Sequence, residues 1–181
     1  ELFKKYGKDK LYSDGLIIKT SINSDIQTFA DESLYQGIID YDKSQGWNGP
    51  ITNIKLNDFG KNQMNFININ PFLDKWKVAI VSKNKSNDKI TLFDLNKEKI
   101  IIDLQNKVNQ WLKNESFIKG DVVFVEKINN HYAIRQLPKA NGAIVVINPH
   151  NGDVLALSGG YSFKLSEFNR ATQAKRQPGS A

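Results

Sequence analysis

Ser180, in the step Pro178-Gly179-Ser180, is the residue of this chain best suited to covalent chemistry. A serine hydroxyl is a weak nucleophile until a base takes its proton. Pro178-Gly179 supports a helix start, because proline cannot continue a preceding helix and glycine tolerates a sharp entry turn. A serine in the first turn of such a helix faces free backbone N–H groups and the positive end of the helix dipole, which favours a developing alkoxide. On composition alone, Gly-Ser-Ala near a chain end reads as a frayed tail. The other candidate groups are poorer. His131 and His150 are too few for a histidine metal site and read as strand or turn residues. The absence of cysteine excludes disulfides and cysteine-based metal sites. The residues point to no cofactor.

Several elements must position that serine. Gly15–Ile22 reads as a β-strand, β-branched and bounded by Asp14-Gly15 and Asn23-Ser24. Ser24-Asp25-Ile26-Gln27 has the form of a capping box. The helix it opens puts Ile26, Phe29, Ala30, Leu34 and Ile38 on one face and should end between Asp40 and Lys43. Gly46-Trp47-Asn48-Gly49-Pro50 is a breaker cluster and marks a boundary. Beyond it come strand candidates at Ile51–Leu56, Trp76–Ser82, Lys89–Leu95, Lys99–Leu104, Asp121–Lys127 and His131–Leu137. Asn106–Lys113 reads as a short helix, and Asn129-Asn130 as a tight hairpin turn. Asn62–Pro71 is equally readable as a strand or a long loop. Five or six strands and one helix in this span suit a small barrel of the oligonucleotide/oligosaccharide-binding (OB) kind. Gly142–Asn148 is apolar on both faces and is expected to be a central, covered strand. Pro149–Gly152 turns, Asp153–Ser158 returns antiparallel, and residues 1–10 are a charged lead-in.

The net charge of +6 is uneven: −2 over residues 1–50, +6 over 51–140 and +2 over 141–181. The excess is almost all lysine, which with the abundant asparagine and isoleucine reads mainly as genome bias toward A+T. No apolar run approaches the roughly 20 residues that span a bilayer, and no signal peptide is visible. A membrane anchor in a parent protein is therefore expected outside this chain.

Five stretches, taken in order, resemble the class A penicillin-binding proteins of Gram-negative-type bacteria. Leu11–Leu16 with Lys19–Ile22, continued by Ile26-Gln27, is similar to the family's link between glycosyltransferase and transpeptidase. Tyr41-Asp42 with Gly46–Pro50 resembles the step into an inserted domain, and Gly120–Val123 with Tyr132–Pro138 resembles its end. Gly142–Gly160 and then Phe168–Ser180 are similar to the opening of the transpeptidase. The last stretch is the most specific, and residues 57–119 add almost nothing.

The resemblance implies a mainly β fold with some α: a small OB-like β-barrel inserted into the start of an α/β penicillin-binding transpeptidase domain. Residues 1–46 would be linker strand and helix of the transpeptidase, 47–139 the insert, and 140–181 the transpeptidase hairpin and lead-in. Gly15–Ile22 and the hairpin 143–158 are expected in one sheet, with helix 25–41 over one face. The resemblance makes Ser180 the catalytic nucleophile of an S-x-x-K motif. Residues three apart lie one turn apart on one helix face, so a lysine there can take the serine proton. That lysine and the other transpeptidase motifs are expected downstream, and the glycosyltransferase glutamates upstream, so the segment alone is expected to be inactive. The implied partners are peptidoglycan stem peptides and glycan strands, with β-lactams acylating the same serine. The implied location is the periplasmic side of the inner membrane, where a regulatory protein could dock on the insert. The competing reading is an OB-like module that docks a protein or a glycan, or that holds single-stranded nucleic acid through lysines and the rings of Phe66, Phe72, Trp76, Phe93, Trp111, Phe117, Phe124 and Tyr132. Most of those rings are expected in the core, and no nucleic-acid partner is expected.

Overall fold

The computed structural model describes residues 2–12, 17–62 and 75–175. The lead-in read over residues 1–10 belongs, over its described part, to helix α1 (Leu2–Tyr12). Lysine is a good helix former with its charge in water, and the helix is broken only at Gly7, which has φ 77. The expected strand Gly15–Ile22 does not form over its described part, residues 17–22. Ile17 is 92% and Ile18 61% exposed. β-Branched residues favour strands when one face of the strand is buried, and here no described residue covers them.

Helix α2 (Ser24–Ser44) begins one residue earlier than the capping-box reading requires. Asn23 is the cap, its Oδ1 accepting from the backbone N–H groups of Asp25 (3.0 Å) and Ile26 (3.1 Å). Ala30, Ile38 and Ile39 are buried and Leu34 half-buried, but Phe29 is 67% exposed. The packed stripe follows the i, i+4 row 26, 30, 34, 38. Phe29 lies about 100° round from Ala30 and falls at its rim.

The main sheet runs β1 (Thr52–Asn53), β5 (Asp121–Ile128), β2 (Trp76–Ser86), β3 (Lys89–Asp94) and β4 (Lys99–Asp103), with β6 (His131–Arg135) also on β5. All pairings are antiparallel. The Ile51–Leu56 candidate shrinks to β1, because the chain turns into the one-turn helix α3 (Leu56–Phe59). Ile54 N–H reaches Gly120 O at 2.9 Å. Gly120 sits at φ +97, where a Cβ would lie 2.5 Å from Ile54 O, so only glycine fits. The Asn129-Asn130 turn forms as read, with Asn129 at φ 52 joining β5 to β6. Of Asn62–Pro71, Asn62 ends a 3-10 turn and the rest lies outside the described residues.

The helix expected at Asn106–Lys113 is a series of turns with one 3-10 turn, Gln110–Leu112. Its asparagines bond elsewhere. Asn106 Oδ1 accepts from Val108 N–H at 3.1 Å, which offers the backbone an alternative to the helix. Asn109, 1% exposed, donates through Nδ2 to Tyr132 O (2.8 Å) and Asp103 O (3.3 Å) and accepts from Ile134 N–H (3.0 Å). It thus links β4 to β6, the two strands that would have to pair to close the barrel. The pairings among the described residues include no β4–β6 ladder, so the unit is a curled sheet closed there by a side chain.

β2 and β5 are covered on both faces. Ala79, Val81, Val123 and Val125 enter a core with Ile90, Leu92, Ile100, Ile102, Leu104, Leu112, Phe117 and Ile134. Trp76, Val78, Ile80, Val122 and Phe124 face the other way, onto Ile38 and Ile39 of α2 with Phe59 and Tyr161. That double burial accounts for the unbroken apolar run at Val122–Val125.

The same reading fails for Gly142–Asn148. Its strand, β7 (Ile144–Ile147), pairs among the described residues only with β8 (Val154–Ser158). Val145 is 40% and Ile147 55% exposed. Apolarity on both faces indicates a covered strand only where both faces have cover, and α2 lies on one.

Helix α2 is fastened at both ends. Near its start Asn23 N–H donates to Leu155 O (2.9 Å) and Ser21 Oγ to Val154 O (2.8 Å). Ser21 and Asn23 therefore lie beside β8 without joining its sheet. Near its end the buried Asp42 accepts from Gln136 Nε2 (2.6 Å), Asn48 Nδ2 (3.3 Å) and Lys139 N–H (2.9 Å). One carboxylate thus binds the chain where it enters the six-stranded sheet and where it leaves.

Candidate functional site

The sequence-predicted nucleophile, Ser180, lies outside the described residues, and Lys175 is the last described residue before it. What the structure shows is the approach to it, residues 159–175, and the elements that hold that approach.

β8 ends at Ser158 and the chain turns through Gly159-Gly160. Asn141 Oδ1 accepts from Gly142 N–H and Tyr161 N–H, both at 2.9 Å, joining the entry of β7 to the exit of β8. The Tyr161 ring stacks on Tyr35 of α2, centroids 5.2 Å apart and planes 6° from parallel. Burial raises the Tyr161 pKa well above the ordinary phenol range, with Tyr35 adding to it. Tyr35 is raised by burial first and by Glu126 second. Both are therefore neutral anchors at physiological pH. Lys75 Nζ sits over the Tyr35 ring, 5.5 Å from its centre.

After a loop the chain returns to the same glycines. Arg170 N–H donates to Gly159 O at 2.8 Å. Asn169 Oδ1 accepts from Ala171 N–H (3.0 Å) and Thr172 N–H (3.3 Å). Asn169 O accepts from Gln173 N–H (2.8 Å), while Gln173 Oε1 accepts from Asn169 N–H (2.7 Å). Arg170 Nη1 donates to Phe168 O (3.0 Å), and its guanidinium lies 5.7 Å from the Phe168 ring centre. A Cβ on Gly159 would overlap Asn169 Oδ1 and Cγ.

The sequence reading did not identify Asn141, Asn169 or Gln27 as holding this region. Asn169 stands in the Phe168–Ser180 run that carries the family resemblance, but nothing local marks Asn141. The histidines are where the sequence put them: His131 opens β6 and His150 lies in the β7–β8 turn, both exposed. Among the described residues no group of three or more His, Cys, Asp or Glu could hold a metal ion, and no helix is long and apolar enough to cross a membrane.

Comparison with known proteins gives these features a family setting. No protein-family model matches the chain. Penicillin-binding protein 1A of Rickettsia felis is 41% identical over 176 residues, which is 96% of this chain and 22% of that protein. The protein of the same name from Escherichia coli is 30% identical over 202 residues, 99% of this chain and 23% of that protein. The crystal structure of penicillin-binding protein 1A from Haemophilus influenzae superposes with a TM-score of 0.75 at 25% identity, over 95% of this chain and 26% of that one. A curled β unit set on one helix, followed by a hairpin and the Phe168–Ser180 run, thus matches one segment of the class A penicillin-binding proteins, and this chain is homologous to that segment. The relatives named above are all penicillin-binding protein 1A. The chain spans about a quarter or less of their length.

Proposed function

We propose that the chain is part of a bifunctional peptidoglycan synthase, a glycosyltransferase joined to a serine D,D-transpeptidase. In this reading Ser180 Oγ attacks the carbonyl of a D-Ala-D-Ala stem and forms an acyl-enzyme. Terminal D-alanine leaves, and an amine of a neighbouring stem takes the acyl group. β-Lactams acylate the same oxygen. The residues that complete the S-x-x-K, S-x-N and K-T-G motifs are supplied by further sequence, so residues 1–181 alone do not turn over. The division into transpeptidase strand and helix (1–46), OB-like insert (47–139) and transpeptidase hairpin with lead-in (140–181) belongs to the same proposal. So does a place on the periplasmic side of the inner membrane. One observation carries the reading: the 41% identity that runs through 96% of the chain.

The decisive experiment is fluorescent-penicillin labelling of the protein with its natural downstream sequence, beside Ser180→Ala. Label on the wild type that maps to Ser180 and is absent from Ser180→Ala is the expected result. A well-folded wild type that takes no label overturns the reading.

The alternative keeps the six-stranded unit as a docking module for a protein or a glycan. Six of the eight rings considered for stacking are used internally. Trp76, Phe117 and Phe124 are buried, and Phe93, Trp111 and Tyr132 pack against the two cores. Phe66 and Phe72 lie outside the described residues. This supports a scaffold over a nucleic-acid platform. An apolar contact point does remain on the outer face of β4, where Ile101 is 52% exposed between Lys99 and Asp103.

A further inference from the structure

The last turn of α2, the end of β6 and the Gln110–Leu112 turn meet around a small cavity. Asp42, Lys43, Trp111, Ile134, Arg135 and Gln136 are among its lining residues, and it offers about 10 Å³ to the centre of a water. Trp111 is half-buried, its ring set edge-on to Trp47 with centroids 5.8 Å apart. Its Nε1–H is shut off from solvent, and no described residue gives it an acceptor. An indole N–H can only donate, and a buried donor left unpaired is costly.

Two acceptors on the same lining have capacity to spare. Asp42 takes three N–H bonds, from Gln136 Nε2, Asn48 Nδ2 and Lys139 N–H, and an ionised carboxylate has about four acceptor positions. Gln136 Oε1 takes one, from Asn48 N–H at 2.8 Å, and an amide oxygen can take a second. The Gln136 amide is fixed in this orientation, because Nε2 donates both to Asp42 and to Gly46 O.

We infer that this cavity is the binding site of a single internal water, which accepts from Trp111 Nε1–H and donates to Asp42 and Gln136. The volume is roughly what one water requires, and the partners are of the number and kind that hold buried waters. The charges lining the cavity select against an ion. Lys43 and Arg135 oppose a cation, and Asp42 opposes an anion. A neutral molecule of this size that both accepts and donates is water. Bound there, it joins the β4–β5 connection, which carries Trp111, to the end of α2. The fastening at Asp42 then reaches a third segment of the six-stranded unit, besides the segments where the chain enters and leaves it.

The test is a crystal structure of the protein with its natural downstream sequence, at a resolution that shows ordered solvent, for the wild type and for Trp111→Phe. The expected wild-type result is one solvent peak about 2.7–3.2 Å from Trp111 Nε1 and from an oxygen of Asp42 or Gln136. Phenylalanine keeps a ring against Trp47 and removes the donor, so the peak is expected to be lost in Trp111→Phe. A wild-type cavity without a peak, or a Trp111 N–H bonded directly to a protein oxygen, overturns the inference. A peak that keeps its place in Trp111→Phe overturns the indole as its holder. Should the variant fail to fold, the wild-type peak and its distances decide alone. The outcome is independent of the Ser180 reading.

Discussion

The side-chain amide of Gln27 pairs with the backbone of Leu157 as a neighbouring strand would. Its Oε1 accepts from Leu157 N–H at 2.9 Å and its Nε2 donates to Leu157 O at 3.2 Å. The first turn of α2 thereby satisfies the outer edge of β8 with a single residue. Gln27→Ala leaves both backbone groups of a partly covered strand unpaired. The expected loss is about 1–2 kcal/mol of local stability. Faster hydrogen exchange at the Leu157 amide, with the β2–β5 amides unchanged, is the expected pattern. Unchanged exchange at Leu157 would mean that the amide pair contributes nothing.

A second expectation concerns closure of the curled sheet. Asn109→Ala removes the partners of Ile134 N–H and Tyr132 O, next to the larger core. Orphaned buried groups of this kind cost about 1–3 kcal/mol each. The expected total is about 2–4 kcal/mol, seen as a lower urea midpoint with the slope preserved. Asn109→Asp keeps the acceptor but turns a carboxylate oxygen toward two carbonyls, and should be no better than alanine. A midpoint within error of the wild type would show that β4 and β6 are held together by packing alone.

Alkaline pH should loosen the fold through the tyrosine pair. Tyr161 is raised by burial first and then by Tyr35, and Tyr35 by burial first and then by Glu126. In the unfolded chain each ionises near pH 10. A raised pKa in the folded state means that the folded chain resists ionisation. The stabilisation is complete below about pH 10 and is lost as pH rises above it. Lys77, raised by its bonds to Glu98 and Asp94, adds a loss in the same direction as pH climbs through its folded pKa. Lys43, lowered by burial and then by Arg135, acts oppositely, since its cost falls as it deprotonates. Urea midpoints should therefore fall between pH 8 and pH 11, and Tyr161→Phe should flatten that fall. Equal slopes in the two proteins would show that the tyrosine pair does not drive the loss.

What the sequence determined by itself follows from local chemistry and from likeness. Five strands of the curled sheet carry their own patterns of β-branched residues, and Asn129-Asn130 carries the positive φ that its hairpin needs. Likeness was enough to place the chain with the class A penicillin-binding proteins, because family motifs are contiguous runs such as Phe168–Ser180. Tertiary structure decided the rest, since it depends on partners far away in sequence. Val122–Val125 and Gly142–Asn148 are both apolar runs, yet only the first is buried on both faces, because among the described residues only there do a helix and a second core supply cover. The capping box lost to Asn23 because Gln27 has a better use more than a hundred residues away at Leu157. Asn106–Lys113 fails as a helix because the Asn109 amide bonds β4 and β6. Asn169, one letter in a recognised motif, shows its physical role only when Gly159 is brought against it. Periodicity reports which residues avoid water, and only the folded chain determines what covers them and which polar side chains join distant segments.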